Sequence, residues 1–323
     1  MSIEWLIIVL AKILVVFVLM LVTVAYLTWI ERKLLAHMQV RCGPLRVGWH
    51  GLLQPIADGI KLFFKEDIVV EQADKFIYII CPLIVTVCAF ASFAVIPFGG
   101  EIQLFGRKIG LHIANIDIGV LYIFALSSLS IYGITLAGWS SNNKYSLLGG
   151  LRSAAQMISY EVAAGLAIIG VLMITGSLSL VKIVEAQSTW NILRQPLGFL
   201  VFLICGIAEC NRSPFDLPEA ESELVAGFHV EYSSMKFALF FLAEYAHMIV
   251  MSGLITTMFL GGWRGPVLPG VVWFIIKTFI FLFLFIWLRA TYPRFRYDQL
   301  MKFGWKVLVP LALVNIVLTG ILI

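Results

Sequence analysis

Residues 236–261 read KFALFFLAEYAHMIVMSGLITTMFLG. As a helix rising 1.5 Å per residue they would reach about 39 Å, more than the roughly 30 Å of hydrocarbon in a bilayer. The stretch carries Lys236 at its edge and one carboxylate, Glu244, well inside it. A soluble helix of that length needs a charged face, and this one has none.

Working outward from it, comparable apolar runs lie near 3–30, 76–97, 117–138, 154–174, 196–209, 270–288 and 305–323. The chain has 323 residues, of which 61% are hydrophobic and only 13% charged, so no single soluble core could hide its apolar surface. The pattern predicts one integral membrane domain over 1–323, an all-α polytopic membrane protein with about eight transmembrane helices. The run at 196–209 is short for a span and must tilt or be sheltered by neighbours. The first run is too long for a secretory signal and lacks a basic leader, which predicts a retained span.

Lysine and arginine sort between alternate loops. Sixteen lie in 31–75, 139–153, 209–235, 289–304 and their flanks, against five in the other set, Arg107, Lys108, Lys182, Arg194 and Arg264. The positive-inside rule then puts both termini on the outside (periplasmic) face. Within the first inside loop, GLLQPIADGIKLFFKE (51–66) gathers Leu52, Leu53, Ile56, Ile60, Phe63 and Phe64 on one helical face and Gln54, Asp58, Lys61 and Lys65 on the other. This predicts an amphipathic helix lying at the membrane interface.

The stretch AECNRSPFDLPEAESELVAGFHVEY (208–232) holds six of the nineteen carboxylates, Glu209, Asp216, Glu219, Glu221, Glu223 and Glu231, against a single arginine. A solvated acidic loop is the bland alternative. Interleaved Pro214, Phe215, Leu217, Leu224, Val225 and Phe228 argue instead for an internal, partly buried cluster, whose members raise one another's pKa. Glu161, Glu209, Glu244 and Lys277 lie within spans, where a charge costs at least about 2.5 kcal/mol and usually marks an ion or proton path. Structural polar glue between helices remains the alternative, most evenly for Lys277. Lys12 is expected to snorkel. The histidines read as isolated polar groups, and the five cysteines lack the spacing of a metal site or a disulfide framework.

Several blocks together resemble the membrane subunit called subunit 1 or H of NADH:quinone oxidoreductase (complex I). They are Glu31–Lys33, Gln39–Pro44, Gly51–Glu66, RSAAQMISYE (152–161), residues 208–232, FFLAEY (240–245) and RATYPRFRYDQLM (289–301). The resemblance implies a subunit without a redox centre, metal or flavin of its own. It would act with flavin mononucleotide and iron-sulfur clusters in partner subunits, with quinone as substrate, in a bacterial inner membrane or, as the second choice, an organellar one. It implies as partners the peripheral quinone-site and iron-sulfur subunits, small membrane subunits and antiporter-like subunits. By motif, Arg32, Gln39, Arg41, Asp58, Phe237, Phe241, Arg289 and Arg294 fall at the quinone tunnel, and Glu161, Glu209, Glu219, Glu221, Glu223, Glu231 and Glu244 on a proton path. Competing readings are the equivalent subunit of a ferredoxin-linked oxidoreductase or membrane-bound hydrogenase, a free-standing proton or ion transporter, and a scaffold. No internal repeat favours the transporter.

Overall fold

The computed structural model describes residues 3–104, 107–218 and 221–323. In chain order its helices are α1 (Ile3–Met38), α2 (Gln54–Phe64), α3 (Lys75–Ser92), α4 (Gly119–Ser140), α5 (Lys144–Thr175), α6 (Leu180–Ala186), α7 (Asn191–Arg194), α8 (Pro196–Glu209), α9 (Glu221–Leu224), α10 (Ser234–Phe259), α11 (Gly270–Thr291), α12 (Tyr297–Phe303) and α13 (Val309–Leu322). Among the described residues seven helical stretches, with α12 and α13 forming one of them, are long and apolar enough to cross a membrane, and α8 is a shorter apolar helix. The predicted polytopic all-α membrane protein is the fold observed.

Burial ranks the helices. The most apolar window of α10 is 72% buried, that of α1 only 11%, so α10 is the central pillar and α1 a peripheral helix facing lipid or partners. Around α10 stand α3, α11, α8 and α1; α4 packs on α3, and α5 joins α4, α8 and α13. With no hydrophobic drive between helices in lipid, close approach comes from small residues. A Cβ on Gly138 would lie 2.5 Å from the Ser146 carbonyl oxygen, and one on Gly149 would lie 2.7 Å from the Phe228 backbone nitrogen. These two glycines let α4, α5 and the turn at Gly227–His229 close on one another.

Three boundaries differ from expectation, among them that of the last span, which starts at Tyr297 and not at 305. α5 starts at Lys144, ten residues before the run at 154–174, because Ser146, Gly149, Gly150 and Ser153 are buried against protein and their low hydropathy reflects packing, not solvent. The Asn143 side chain accepts from the Tyr145 backbone N–H at 2.9 Å and caps this early start. Likewise α1 runs through Glu31-Arg32-Lys33 to Met38. Much of the expected loop at 139–153, and the start of that at 31–75, is therefore helical.

The two ends of the bundle differ. At one end Glu101–Leu104 (β1) and Arg107–Gly110 (β2) form an antiparallel hairpin, which hydropathy did not predict. Lys12 does more than snorkel there, since its ammonium donates to the carbonyls of Gly110 (2.8 Å) and His112 (3.1 Å) and ties α1 to the hairpin. At the other end, rich in arginine, lies α2. It leaves Ile56, Ile60, Phe63 and Phe64 exposed while the Asp58 carboxylate meets Arg32 of α1, the arrangement expected of an interfacial helix. The last span is interrupted by a π turn at Gly304–Leu308. α5 supports it, with the Tyr160 hydroxyl donating to the Leu300 carbonyl (3.0 Å) and the Trp305 indole donating to the Ser159 hydroxyl (3.1 Å).

Candidate functional site

α8 is 14 residues long and covers only about 21 Å, so the chain leaves the helix before it could clear a bilayer. Irregular backbone is tolerated at that depth only when protein covers it. Cys210 and Pro214–Pro218 are buried, and Arg212 is only 5% exposed.

Arg212 is the hub of an ionic network. Its guanidinium donates to Glu31 Oε1 at 2.9 Å, and its Nε lies 2.6 Å from Glu244 Oε1 in ion-pair contact, with the N–H directed off that line. The guanidinium also stacks over Tyr245 at 4.3 Å. Arg289, at the end of α11, donates to the same Glu31 oxygen, and Arg294 donates to Asp216 at 2.8 Å. Three carboxylates and three guanidiniums thus balance in a patch whose Glu31, Arg212 and Asp216 are buried and whose Glu244, Arg289 and Arg294 are part-exposed. Burial works to deprotonate Arg212, but Glu244, Tyr245 and Glu31 outweigh it and hold its pKa well above the usual value. Burial of Asp216 pushes its carboxyl above the usual range, only partly offset by Arg294 and Arg289. Such networks add little net stability against an apolar packing, so this one points to function.

A second layer lies deeper. Glu209, the last residue of α8, is 3% exposed and accepts a hydrogen bond from the Ser127 hydroxyl of α4. His247 of α10 places Nε2 at 3.7 Å from the same carboxylate oxygen. The next serine, Ser128, donates to Glu161 of α5. Between the layers is a cavity with about 50 Å³ open to water centres, bordered by Glu209, Glu244, His247, Asn211, His229 and Ser130. At about 10–15 Å³ per water it accommodates a few molecules among polar partners.

The residues singled out from sequence divide into groups. Asp58 bonds Arg32 (2.5 Å) and Gln54 (2.9 Å) near the surface. Arg289 and Arg294 enter the ionic network. Phe237 and Phe241 lie with ring centres 4.6 Å apart, both edged by His229, whose imidazole burial pulls down to about 4 and so keeps neutral. Gln39 and Arg41 bond one another at 2.7 Å on an exposed loop apart from the network.

The acidic stretch does not form one cluster. Glu209 and Asp216 are buried, Glu231 accepts from Asn143 (2.6 Å), and Glu223 is about half exposed in an ion pair with Arg152 (2.6 Å). Glu219 and the side chain of Glu221 lie outside the described residues. Glu223 meets only the part-exposed Arg152 of α5, and among the described side chains of this stretch Glu209 and Asp216 are the buried carboxylates.

Two further expectations change. Lys277 donates to the carbonyls of Leu260 (2.7 Å), Gly262 (3.0 Å) and Arg264 (2.7 Å) beside the rings of Trp190 and Trp273, contacts of the kind that the polar-glue alternative describes. His247 is not isolated, since it faces Glu209. Sequence reasoning also passed over Glu31, Arg212, Ser127 and Ser128. Glu31 ended an apolar run and read as a boundary charge, while Arg212 was visible only as the lone cation in an acidic stretch.

The family model described as NADH dehydrogenase matches residues 11–320. A relative in Geobacter sulfurreducens, named as an H subunit of NADH-quinone oxidoreductase, is 62% identical, over 97% of this chain and 94% of its own. One of the same name in Syntrophotalea carbinolica is 57% identical over 92% and 90%. A third, an H subunit of NADH-quinone oxidoreductase in Rhizobium meliloti, is 50% identical over 96% and 95%.

Proposed function

Because this chain belongs to the NADH dehydrogenase family, we propose that it serves as the membrane subunit of a proton-translocating NADH:quinone oxidoreductase, giving quinone its path to the electron donor and passing the effect of its reduction to a carboxylate chain. The observation that carries this reading is the ionic network of Glu31, Arg212, Glu244, Arg289, Asp216 and Arg294. It lies between a surface pair, Arg32 and Asp58, and the deeper carboxylates Glu209 and Glu161.

The chemistry follows from charge. Electrons reach quinone from the flavin and iron-sulfur groups of partner subunits, and this chain supplies positive charge and shape. Arg289 and Arg294 suit the polar head as it gains negative charge, and Phe237 and Phe241 suit the isoprenoid tail. A new negative charge near Arg289 competes with Glu31 for the same guanidinium. At low effective dielectric, a unit charge a few ångströms away shifts a carboxylate by several pKa units, enough to load or unload a proton at Glu31 or Glu244. The other partners in this reading are the peripheral subunits at the arginine-rich end and antiporter-like subunits within the membrane. The positive-inside rule places that end on the cytoplasmic face of a bacterial inner membrane.

The test measures NADH:quinone reductase activity and proton pumping together, in membranes carrying the native chain or Asp58→Asn at equal assembly. Loss of quinone reduction with NADH oxidation by an artificial acceptor intact supports the quinone path. Activity and pumping that ignore the substitution remove Asp58 from it. An assembled complex with no NADH-linked activity would move the reading to a ferredoxin-linked or hydrogenase-type assembly.

A further inference from the structure

The proton path proposed above needs a link between Glu244, in the arginine network, and Glu209 and Glu161 deeper in the bundle. The two layers belong to different helices, and the space between them is the small cavity. His247 is a titratable side chain placed to reach both layers. His247 sits one turn beyond Glu244 on α10, so both border the cavity, and its Nε2 is 3.7 Å from Glu209 Oε1. Glu161 lies within electrostatic reach of both His247 and Glu209.

His247 is only 8% exposed and Glu209 3%, yet His247 Nε2 and Glu209 Oε2 are buried without a hydrogen-bond partner. Leaving such atoms bare costs about 1–3 kcal/mol each, so two side by side on a water-sized cavity mark a place where water, or a proton, is exchanged. The groups facing His247 are complementary to that task. Glu209 approaches from α8, Glu161 from α5, Ser127 and Ser130 from α4, Cys210, Asn211 and His229 from the connecting loops, and Glu244 from its own helix. None is a lysine or arginine that would repel an imidazolium.

We propose that His247 is the proton-carrying residue joining the arginine network to the deep carboxylates, an assignment that rests on the proton-path reading. The Glu244 carboxylic acid gives its proton through a cavity water to Nε2, leaving carboxylate and imidazolium, and the imidazolium then passes a proton across the 3.7 Å gap to the Glu209 carboxylate, leaving neutral imidazole and a carboxylic acid. Ser127 fixes the accepting oxygen, and Ser128, next along α4, holds Glu161 as the following acceptor. A positioned acid-base group of this kind is commonly worth about 10²–10⁴-fold in proton-transfer rate.

The experiment uses the whole complex in proteoliposomes, carrying His247→Asn, His247→Ala or Glu209→Gln, each at equal NADH oxidation by an artificial acceptor. It reads protons moved per NADH, the pH profile of pumping, and rescue by added imidazole. Expected are a loss of pumping by tenfold or more in His247→Asn, an altered pH profile, and imidazole rescue of His247→Ala but not of Glu209→Gln. If His247→Asn and His247→Ala pump normally while Glu209→Gln does not, the assignment to His247 is wrong and the carboxylate path stands. If Glu209→Gln also pumps normally, the path itself fails. Should the variants not assemble, the redox-induced infrared difference spectrum of the native complex with ring-labelled histidine decides, and absence of any imidazole band overturns the proposal.

Discussion

Among the described residues two lysine or arginine side chains are buried, one near each end of the bundle, and they are held by different chemistry. Lys277 is 4% exposed and gives its three protons to three backbone carbonyls at the end of α10, beside two tryptophan rings. Arg212 is 5% exposed and faces two carboxylates, one of them shared with Arg289. A carbonyl dipole neither gains nor loses a proton, so the groups that Lys277 donates to cannot change charge. A carboxylate can be neutralised, so the field around Arg212 can change when something nearby is reduced, bound or protonated. Burial of charge is common to both ends, and titratable partners belong to one.

The largest expected effect tests the switchable end. Arg212→Met leaves Glu31 and Glu244 buried against the remaining Arg289, and removing one partner of a buried pair typically costs about 3–5 kcal/mol. The expected outcome is little assembled complex in solubilised membranes. Normal assembly would mean that the carboxylates are already protonated and that the network is not ionic. Lys277→Met should cost a comparable amount, since three carbonyls are left bare at about 1–3 kcal/mol each. Thermal stability should fall while protons moved per NADH and the pH profile stay as in the native chain. A change in stoichiometry would place Lys277 on a proton path and erase the contrast.

Glu244→Gln sharpens the comparison further, because glutamine keeps the shape and can still bond Arg212 but cannot titrate. Assembly and quinone reduction should persist, with pumping per NADH reduced. Unchanged stoichiometry at unchanged turnover would remove Glu244 from the relay.

What the sequence disclosed follows the same division. The spans were legible because lipid demands about twenty apolar residues in a row, and even the short α8 announced itself by ending in Glu209. The start of α5 was not, since Ser146, Gly149 and Gly150 pack against protein and carry the same polarity signal as a loop. Glu161, Glu209 and Glu244 stood out because carboxylates in a span are rare. Their partners did not, because Glu31 and Arg212 are 181 positions apart and Glu31 and Arg289 are 258 apart, and one sequence holds no record of such pairings. Near the ends of apolar runs, where charges are normally wet, only coordinates show which ones are dry. His247 was illegible for a related reason, as a lone histidine carries no spacing to betray its partner.

His229 offers the mildest test, since it borders the same cavity but is held neutral by burial among Phe228, Phe237 and Phe241. Its pKa falls from 6.5 to about 4 on folding. A lowered histidine pKa means that the unfolded chain binds the proton more tightly. Stability is therefore full above pH 6.5, declines as the pH falls from 6.5 toward about 4, and levels off below that. The loss approaches roughly 3 kcal/mol at most. His229→Gln should flatten this acid-induced fall in melting temperature of the solubilised complex and leave the neutral-pH proton stoichiometry unchanged. An acid profile identical to the native one would show that His229 already charges in the folded state. The cavity would then hold a second mobile proton, and the switchable region would extend from the arginine network to the aromatic wall.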